Sequence, residues 1–245
     1  MYKSKVLVSF IIICYVFFAI FELVGNDTMA YNLNSLIVPL IALSYMIFNK
    51  KKDIFFSLFF ILYSLSDLMG LVTSYLSFER AEMFNEYKYY IGNSLYILAY
   101  MFLVVKIGKS LSFKYLLRNN KIHLVVLIIL NIYLVYVLQV IIHPSLLAES
   151  DYYLELIYNI VVVLLLAISL LNYFHKDNKK SLYLFLGSLC IVFSEFMDVA
   201  YIYIEKRSFL NIIATSLTVG AFYFFYQQSR LLNDKKKEQE YMLLD

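Results

Sequence analysis

Residues 122–142 read Ile-His-Leu-Val-Val-Leu-Ile-Ile-Leu-Asn-Ile-Tyr-Leu-Val-Tyr-Val-Leu-Gln-Val-Ile-Ile. Inside that stretch Leu124–Leu130 is apolar at every position, and so is Val161–Leu166 further along. A strand of a membrane β-barrel would alternate apolar and polar residues over segments of roughly ten. An unbroken apolar run of about 20 residues reads instead as a spanning helix, which satisfies its own backbone. The fold class expected is therefore all-α, a polytopic membrane bundle.

Seven further stretches share this character, so eight helices are expected, at approximately 5–24, 33–49, 54–76, 89–106, 122–142, 154–174, 181–204 and 209–229. They form one transmembrane domain over residues 1–229, followed by a charged cytoplasmic tail at 230–245. The composition agrees: of 245 residues, 62% are hydrophobic and 16% charged, where a soluble domain has roughly 45–50% and about 25%. That excludes a soluble globular domain, a disordered chain and a nucleic-acid binder. A net charge of +3 is too small to call for a polyanionic partner, and six glycines leave no glycine-rich phosphate loop. Cys14 and Cys190 sit in apolar runs and read as small buried hydrophobes, with no disulfide and no metal cluster.

The basic residues set the expected orientation. Lys3, Lys5, the Lys50–Lys52 loop, the stretch from Lys106 to Lys121, the loop with Lys176, Lys179 and Lys180, and the tail together hold 17 lysines and arginines. The alternate loops hold Arg80, Lys88, Lys206 and Arg207. Both termini are expected in the cytoplasm, in a multi-pass protein of a bacterial inner membrane. The first apolar stretch has a basic start like a signal peptide, but it is too long and lacks a small-residue cleavage site, so it reads as an uncleaved span.

Ionisable side chains are costly in hydrocarbon and usually face a bundle interior. At about 1.5 Å of rise per residue, Asp67 and Glu195 fall about 20 Å from the inner ends of their spans, and Asp198 about 26 Å. Asn93, Tyr96, Asn159 and Thr215 fall in the same outer-half layer. Helical spacing gathers four polar stripes: Tyr63, Asp67, Gly70 and Ser74; Tyr89, Asn93, Tyr96 and Tyr100; Glu195, Asp198 and Tyr201; and Asn211, Thr215 and Thr218. Four helices with polar stripes at one depth predict a lined cavity above an inner half of nearly pure Leu, Ile, Val and Phe.

Plainer readings cover many of the other polar residues. Glu22, Glu155 and Asn34 lie near span ends and read as snorkelling or capping groups. Asn131, Asn159 and Gln139 read as interhelical hydrogen-bond donors and acceptors, and the tyrosine stripe reads equally as packing. Asp67, Glu195 and Asp198 resist such readings, because no intramembrane lysine or arginine is expected beside them. No His-Glu-x-x-His, no Gly-x-Ser-x-Gly and no mid-membrane lysine is present, which disfavours a metalloprotease, a serine hydrolase and a retinal protein.

Four stretches carry a resemblance. The third helix reads Tyr63-Ser-Leu-Ser-Asp67-Leu-Met-Gly70, the fourth Gly92-Asn93-Ser-Leu-Tyr96-Ile-Leu-Ala. The seventh reads Gly187-Ser-Leu-Cys-Ile-Val-Phe-Ser194-Glu195, the last Phe222-Tyr-Phe-Phe-Tyr226-Gln227. Together they resemble the YhhN-like family, the lysoplasmalogenase-type membrane proteins, over nearly the whole chain through short, degenerate motifs. Ser66 stands where that family tends to have Gly, Asn93 where it tends to have His, and Glu195 where it tends to have Asp.

The resemblance implies hydrolysis of the vinyl-ether bond of a lysolipid to a fatty aldehyde and a glycerophospho-headgroup, without a cofactor. The carboxyls suit it: one acid protonates the alkenyl carbon, and a second carboxylate stabilises the oxocarbenium ion and directs water, as in glycosidases. The expected pair is Asp67 and Glu195, with Asp198 in reserve. Tyr63, Asn93, Tyr96, Ser194 and Thr215 are expected around the substrate, a lysolipid or other membrane-embedded small molecule whose chain would occupy the apolar inner half. A proton-coupled carrier and a non-catalytic lipid-binding protein of the same fold are the alternatives.

Overall fold

The computed structural model describes residues 2–49, 52–75, 78–111, 121–146 and 148–231. Eight long helices are found among them: α1 (Tyr2–Val24), α2 (Asp27–Phe48), α3 (Ile54–Ser74), α4 (Phe78–Gly108), α5 (Lys121–Ile142), α6 (Glu149–Lys176), α7 (Lys179–Val199) and α8 (Ser208–Arg230). Each is long and apolar enough to cross a membrane. The expected charged tail, Lys114 and Arg118 fall outside the described residues, apart from Arg230 and Leu231.

Local chemistry accounts for the helix ends. The Asn26 side chain accepts from the Met29 backbone N–H at 3.2 Å and starts α2 six residues earlier than expected. Asp53 caps α3 by accepting from the N–H groups of Phe55 and Phe56, and it also pairs with Lys106 of α4. Between α6 and α7 the chain turns at Asp177, which takes a left-handed conformation (φ 40°). Asn178 then caps α7, its side chain accepting from the Ser181 N–H at 2.8 Å while the Ser181 hydroxyl accepts from the Asn178 N–H. Helix α4 departs most from expectation, beginning at Phe78 rather than near 89. No proline or glycine lies between Phe78 and Lys88 to stop it, and Glu79, Arg80, Ala81, Glu82 and Met83 are good helix formers.

Seven helices form a ring in the order α1, α2, α3, α4, α6, α7, α8, and α8 closes back on α1 and α2. Helix α5 stands outside it, with Leu124 and Leu127 against Leu171 and Ile168 of α6. Its other faces, including Val125, Ile129, Ile132 and Tyr136, are exposed and apolar, as are Ile12, Ile13 and Phe17 of α1.

One half of the ring is packed solid. Phe59 of α3 stacks on Phe222 of α8 with centroids 5.4 Å apart and meets Phe225 edge-on at 5.5 Å. Phe56, Phe60 and Tyr100 complete the cluster, all six rings at 1% exposure or less. Aromatic pairs of this geometry contribute about 0.5–1.5 kcal/mol each beyond their burial. Among the described residues these rings fill the ring's centre, where a space for a lipid chain is expected below the polar layer.

Candidate functional site

Above the aromatic cluster the ring encloses a cavity of about 540 Å³, within the range of small-molecule sites. Helix α3 contributes Tyr63, Ser66, Asp67 and Gly70, and α4 contributes Lys88, Tyr89, Gly92, Asn93 and Tyr96. Across from them stand Asp198 of α7 with Ile202 just beyond its end, Thr215 and Thr218 of α8, and Tyr31, Asn34 and Ser35 of α2. Of the polar layer read from the sequence, Asp67, Asn93, Tyr96, Asp198 and Thr215 line this cavity, whereas Glu195 and Asn159 do not.

Close helix approach positions α3 against α4. The Ser66 hydroxyl donates to the Gly92 carbonyl at 3.0 Å, and a Cβ on Gly92 would already stand 3.3 Å from that hydroxyl oxygen. This brings Tyr96 beside Asp67, to which its hydroxyl donates. The Tyr63 and Tyr96 rings meet edge-on at 4.7 Å and form the floor.

Asp67 and Asp198 stand on opposite walls, on α3 and α7, which do not adjoin in the ring. Asp67 has one oxygen engaged by Tyr96, whereas no hydrogen bond to Asp198 is found among the described residues. Asn93 lines the wall one turn above Tyr96. Thr215 also faces in, donating to Asn34 Oδ1 at 3.2 Å.

Two expected site residues lie off the wall. Glu195 sits behind Tyr63, accepting from the Tyr100 hydroxyl at 2.5 Å. Ser194 joins α7 to α8, donating to the Ala214 carbonyl at 2.8 Å with Thr218 Oγ1 at 2.6 Å. Successive steps of three fall about 60° short of a full turn, so Glu195, Asp198 and Tyr201 fan out rather than stack. A single π-helical turn over Ala200–Ile204, closed by the Glu205 N–H on the Ala200 carbonyl at 2.9 Å, carries the fan further. Tyr201 ends against Glu22 of α1, with its hydroxyl 3.5 Å from Glu22 Oε1.

Several plainer readings change as well. Glu22 is 4% exposed and Glu155 9%, so neither snorkels; Tyr89 donates to Glu155 at 2.8 Å. The α4 tyrosine stripe is not simple packing: Tyr89, Tyr96 and Tyr100 each donate to a carboxylate on a different helix. Asn34 lines the cavity rather than capping. Asn131 bonds back to the Leu127 carbonyl of its own helix at 2.7 Å. Among the described residues, buried Gln139 finds no partner for either polar atom and buried Asn159 none for its Nδ2.

Sequence reasoning missed Tyr31 and Lys88. The sequence places Lys88 in a loop, yet the longer α4 carries it onto the wall, where its ammonium donates to the Tyr31 hydroxyl at 3.0 Å and lies 5.2 Å from that ring's centroid. A lysine thus stands at the cavity rim above the carboxyls. Its position one residue before the tyrosine stripe was the available signal. Gly70 makes room for Tyr31, whose hydroxyl occupies the place a Cβ would take.

No group of three or more metal-ligating side chains is found among the described residues. No family model, curated protein or solved structure matches this chain, so the YhhN-like resemblance rests on the stretches quoted above.

Proposed function

We propose that this chain is a multi-pass membrane protein, both termini cytoplasmic, that hydrolyses the vinyl-ether bond of a lysolipid reaching the cavity from the outer side. The apolar girdle of α1 and α5 supports membrane insertion, since soluble monomers rarely expose patches of this extent. The 17-to-4 distribution of basic residues supports the orientation. Reporter fusions after Lys52, Lys121 and Lys180 read cytoplasmic on this topology, and an external signal at any one refutes it.

The observation that carries the chemistry is that Asp67 and Asp198 line one cavity from opposite walls. Asp198, with no hydrogen-bond partner among the described residues, is the acid that meets substrate. It gives its proton to the alkenyl carbon, leaving an oxocarbenium ion. Asp67, oriented by Tyr96, stabilises that cation and takes a proton from the attacking water. The hemiacetal so formed collapses to a fatty aldehyde and an alcohol, and the proton returns to Asp198. Asn93 and Thr215 supply hydrogen bonds to water or headgroup. Asp67 and Asp198 thus form the working pair, with Glu195 behind it.

The test is aldehyde release by the purified full-length protein from a lysoplasmalogen. Asp198→Asn and Asp67→Asn each remove most of the rate, and Asn93→His raises it. Full rate in Asp198→Asn removes that residue from the mechanism, and no aldehyde from the unaltered protein removes the reaction.

The aromatic filling of the inner half favours a second reading, in which the cavity binds a polar molecule without converting it. Saturable binding of lysolipid or of its free headgroup, without aldehyde, supports that reading.

A further inference from the structure

Three helices converge at the cavity rim around Gly70 of α3. A Cβ on Gly70 would collide with the Tyr31 hydroxyl of α2 and stand 3.8 Å from Cε of Lys88 of α4. The glycine thus admits both side chains, and half-buried Lys88 donates to the Tyr31 hydroxyl at 3.0 Å. Both residues line the cavity.

Among the described residues, the other cations of the loops on this side are spent on carboxylates: Lys206 pairs with Asp27 at 2.6 Å and Arg207 with Glu205 at 2.6 Å. Lys88 shares its cavity with Asp67 and Asp198, yet among the described residues a hydroxyl holds it and no ion pair to it is found. Asp67 lies three residues before Gly70, about 4.5 Å deeper by helical rise. Tyr96, which donates to Asp67, lies about 12 Å below Lys88 along α4 by the same rise. The cavity is therefore graded, positive at its mouth and acidic about one helical turn below. An ammonium has three donors. One goes to Tyr31, whose oxygen accepts it and keeps its own proton to give. Ammonium and phenol together offer donors to an anion entering from the outer side.

We propose that Lys88 and Tyr31 anchor a phosphoester anion at the cavity mouth and so fix the depth of the ligand. This rests on the cavity being the ligand site and deepens both readings above. In a lysolipid the glycerol carbons separate the phosphate from the ether. A phosphate held by Lys88 therefore sets the ether about one turn down, between Asp67 and Asp198. Phosphate oxygens accept from the ammonium in charge-assisted hydrogen bonds, which are roughly twice as strong as neutral ones. Lys88 sets specificity by touching the phosphate and takes no part in proton transfer.

The test measures binding by the full-length protein in a phosphate-free nonionic detergent, with an alkylglycerol phosphate and with the same alkylglycerol lacking phosphate. Neither carries a vinyl ether, so neither is cleaved. The unaltered protein binds the phosphate form more tightly by about tenfold or more. Lys88→Gln removes that preference by weakening the phosphate form alone, and Lys88→Arg keeps it. Tyr31→Phe removes one donor, lowers the preference by a smaller factor, and serves if Lys88→Gln does not fold. A lysine that only balances the charge of Asp67 and Asp198 would, when replaced, change both affinities in parallel, and that result overturns the proposal. So does equal or absent binding of the two ligands to the unaltered protein, or an intact preference in Lys88→Gln. Competition by chainless glycerol phosphate supports the anchor with a soluble phosphoester as its ligand; phosphate-dependent binding without such competition supports it with a lipid headgroup. Phosphate-dependent binding without aldehyde release from lysoplasmalogen keeps the anchor and removes the hydrolase. Aldehyde release with unchanged kcat and KM in Lys88→Gln keeps the hydrolase and removes the anchor.

Discussion

Gly187→Ala tests whether the inner half of the ring is as full as described. An alanine Cβ at this position of α7 would stand 2.5 Å from Phe225 Cδ1 and 3.0 Å from its Cζ, and nearer still to Cε1. Phe225 has no exposed surface and is hemmed in by Phe56, Phe59 and Phe222, at centroid distances of 6.1, 5.5 and 6.3 Å. The ring therefore cannot swing aside without moving three others. Overpacking a filled core costs about 1–3 kcal/mol, and replacing a mid-helix glycine by alanine returns at most about 1 kcal/mol. A net loss of about 1–2 kcal/mol lowers Tm by about 2–8 °C for a chain of this size. Gly220→Ala on α8 is the paired control: its nearest neighbour is Cys190 Sγ at 4.0 Å, so only the helix term remains and Tm rises. Thermal unfolding of both variants in one detergent reads the comparison. Phe225→Leu in the Gly187→Ala background should recover part of the loss as a favourable coupling. A Gly187→Ala protein as stable as wild type would mean that space exists beneath Tyr63, and the solid inner half would be refuted.

Phe222→Ala removes a fully buried ring stacked on Phe59 and 5.0 Å from Tyr63; denaturant unfolding should register a loss of about 3–5 kcal/mol. Ser194→Ala breaks the hydroxyl contacts between α7 and α8 and should cost about 1–2 kcal/mol while leaving ligand binding intact, because Ser194 is off the cavity wall. Gly70→Ala displaces Tyr31 from the rim. Since Tyr31 is 43% exposed, Tm should barely move while the affinity for headgroup analogues, followed by titration calorimetry, weakens; unchanged affinity would take Tyr31 and Lys88 out of the site.

Much of the fold was legible without coordinates. Uniform apolar runs such as Leu124–Leu130 leave helix as the backbone's one self-sufficient choice, so helix number and approximate position follow from composition alone. The depth of Asp67, Asn93, Asp198 and Thr215 follows too, because rise per residue is constant, and with it the existence of a polar layer. What each polar group touches does not follow, since facing depends on rotations of a few tens of degrees and on which helices become neighbours. The three-residue step from Glu195 to Asp198 left Glu195 behind the wall and Asp198 on it, and the π turn at Ala200–Ile204 carried Tyr201 away towards Glu22. The extension of α4 to Phe78 raised Lys88 from a loop to the rim. The inner half was apolar by composition, but only the meeting of α3 and α8 decided that Phe59, Phe222 and Phe225 would fill it rather than line a channel. Composition and rise thus determine how many helices there are and how deep each residue lies; the order and rotation of the helices, set by side-chain packing between segments distant in sequence, decide which of those residues share a cavity.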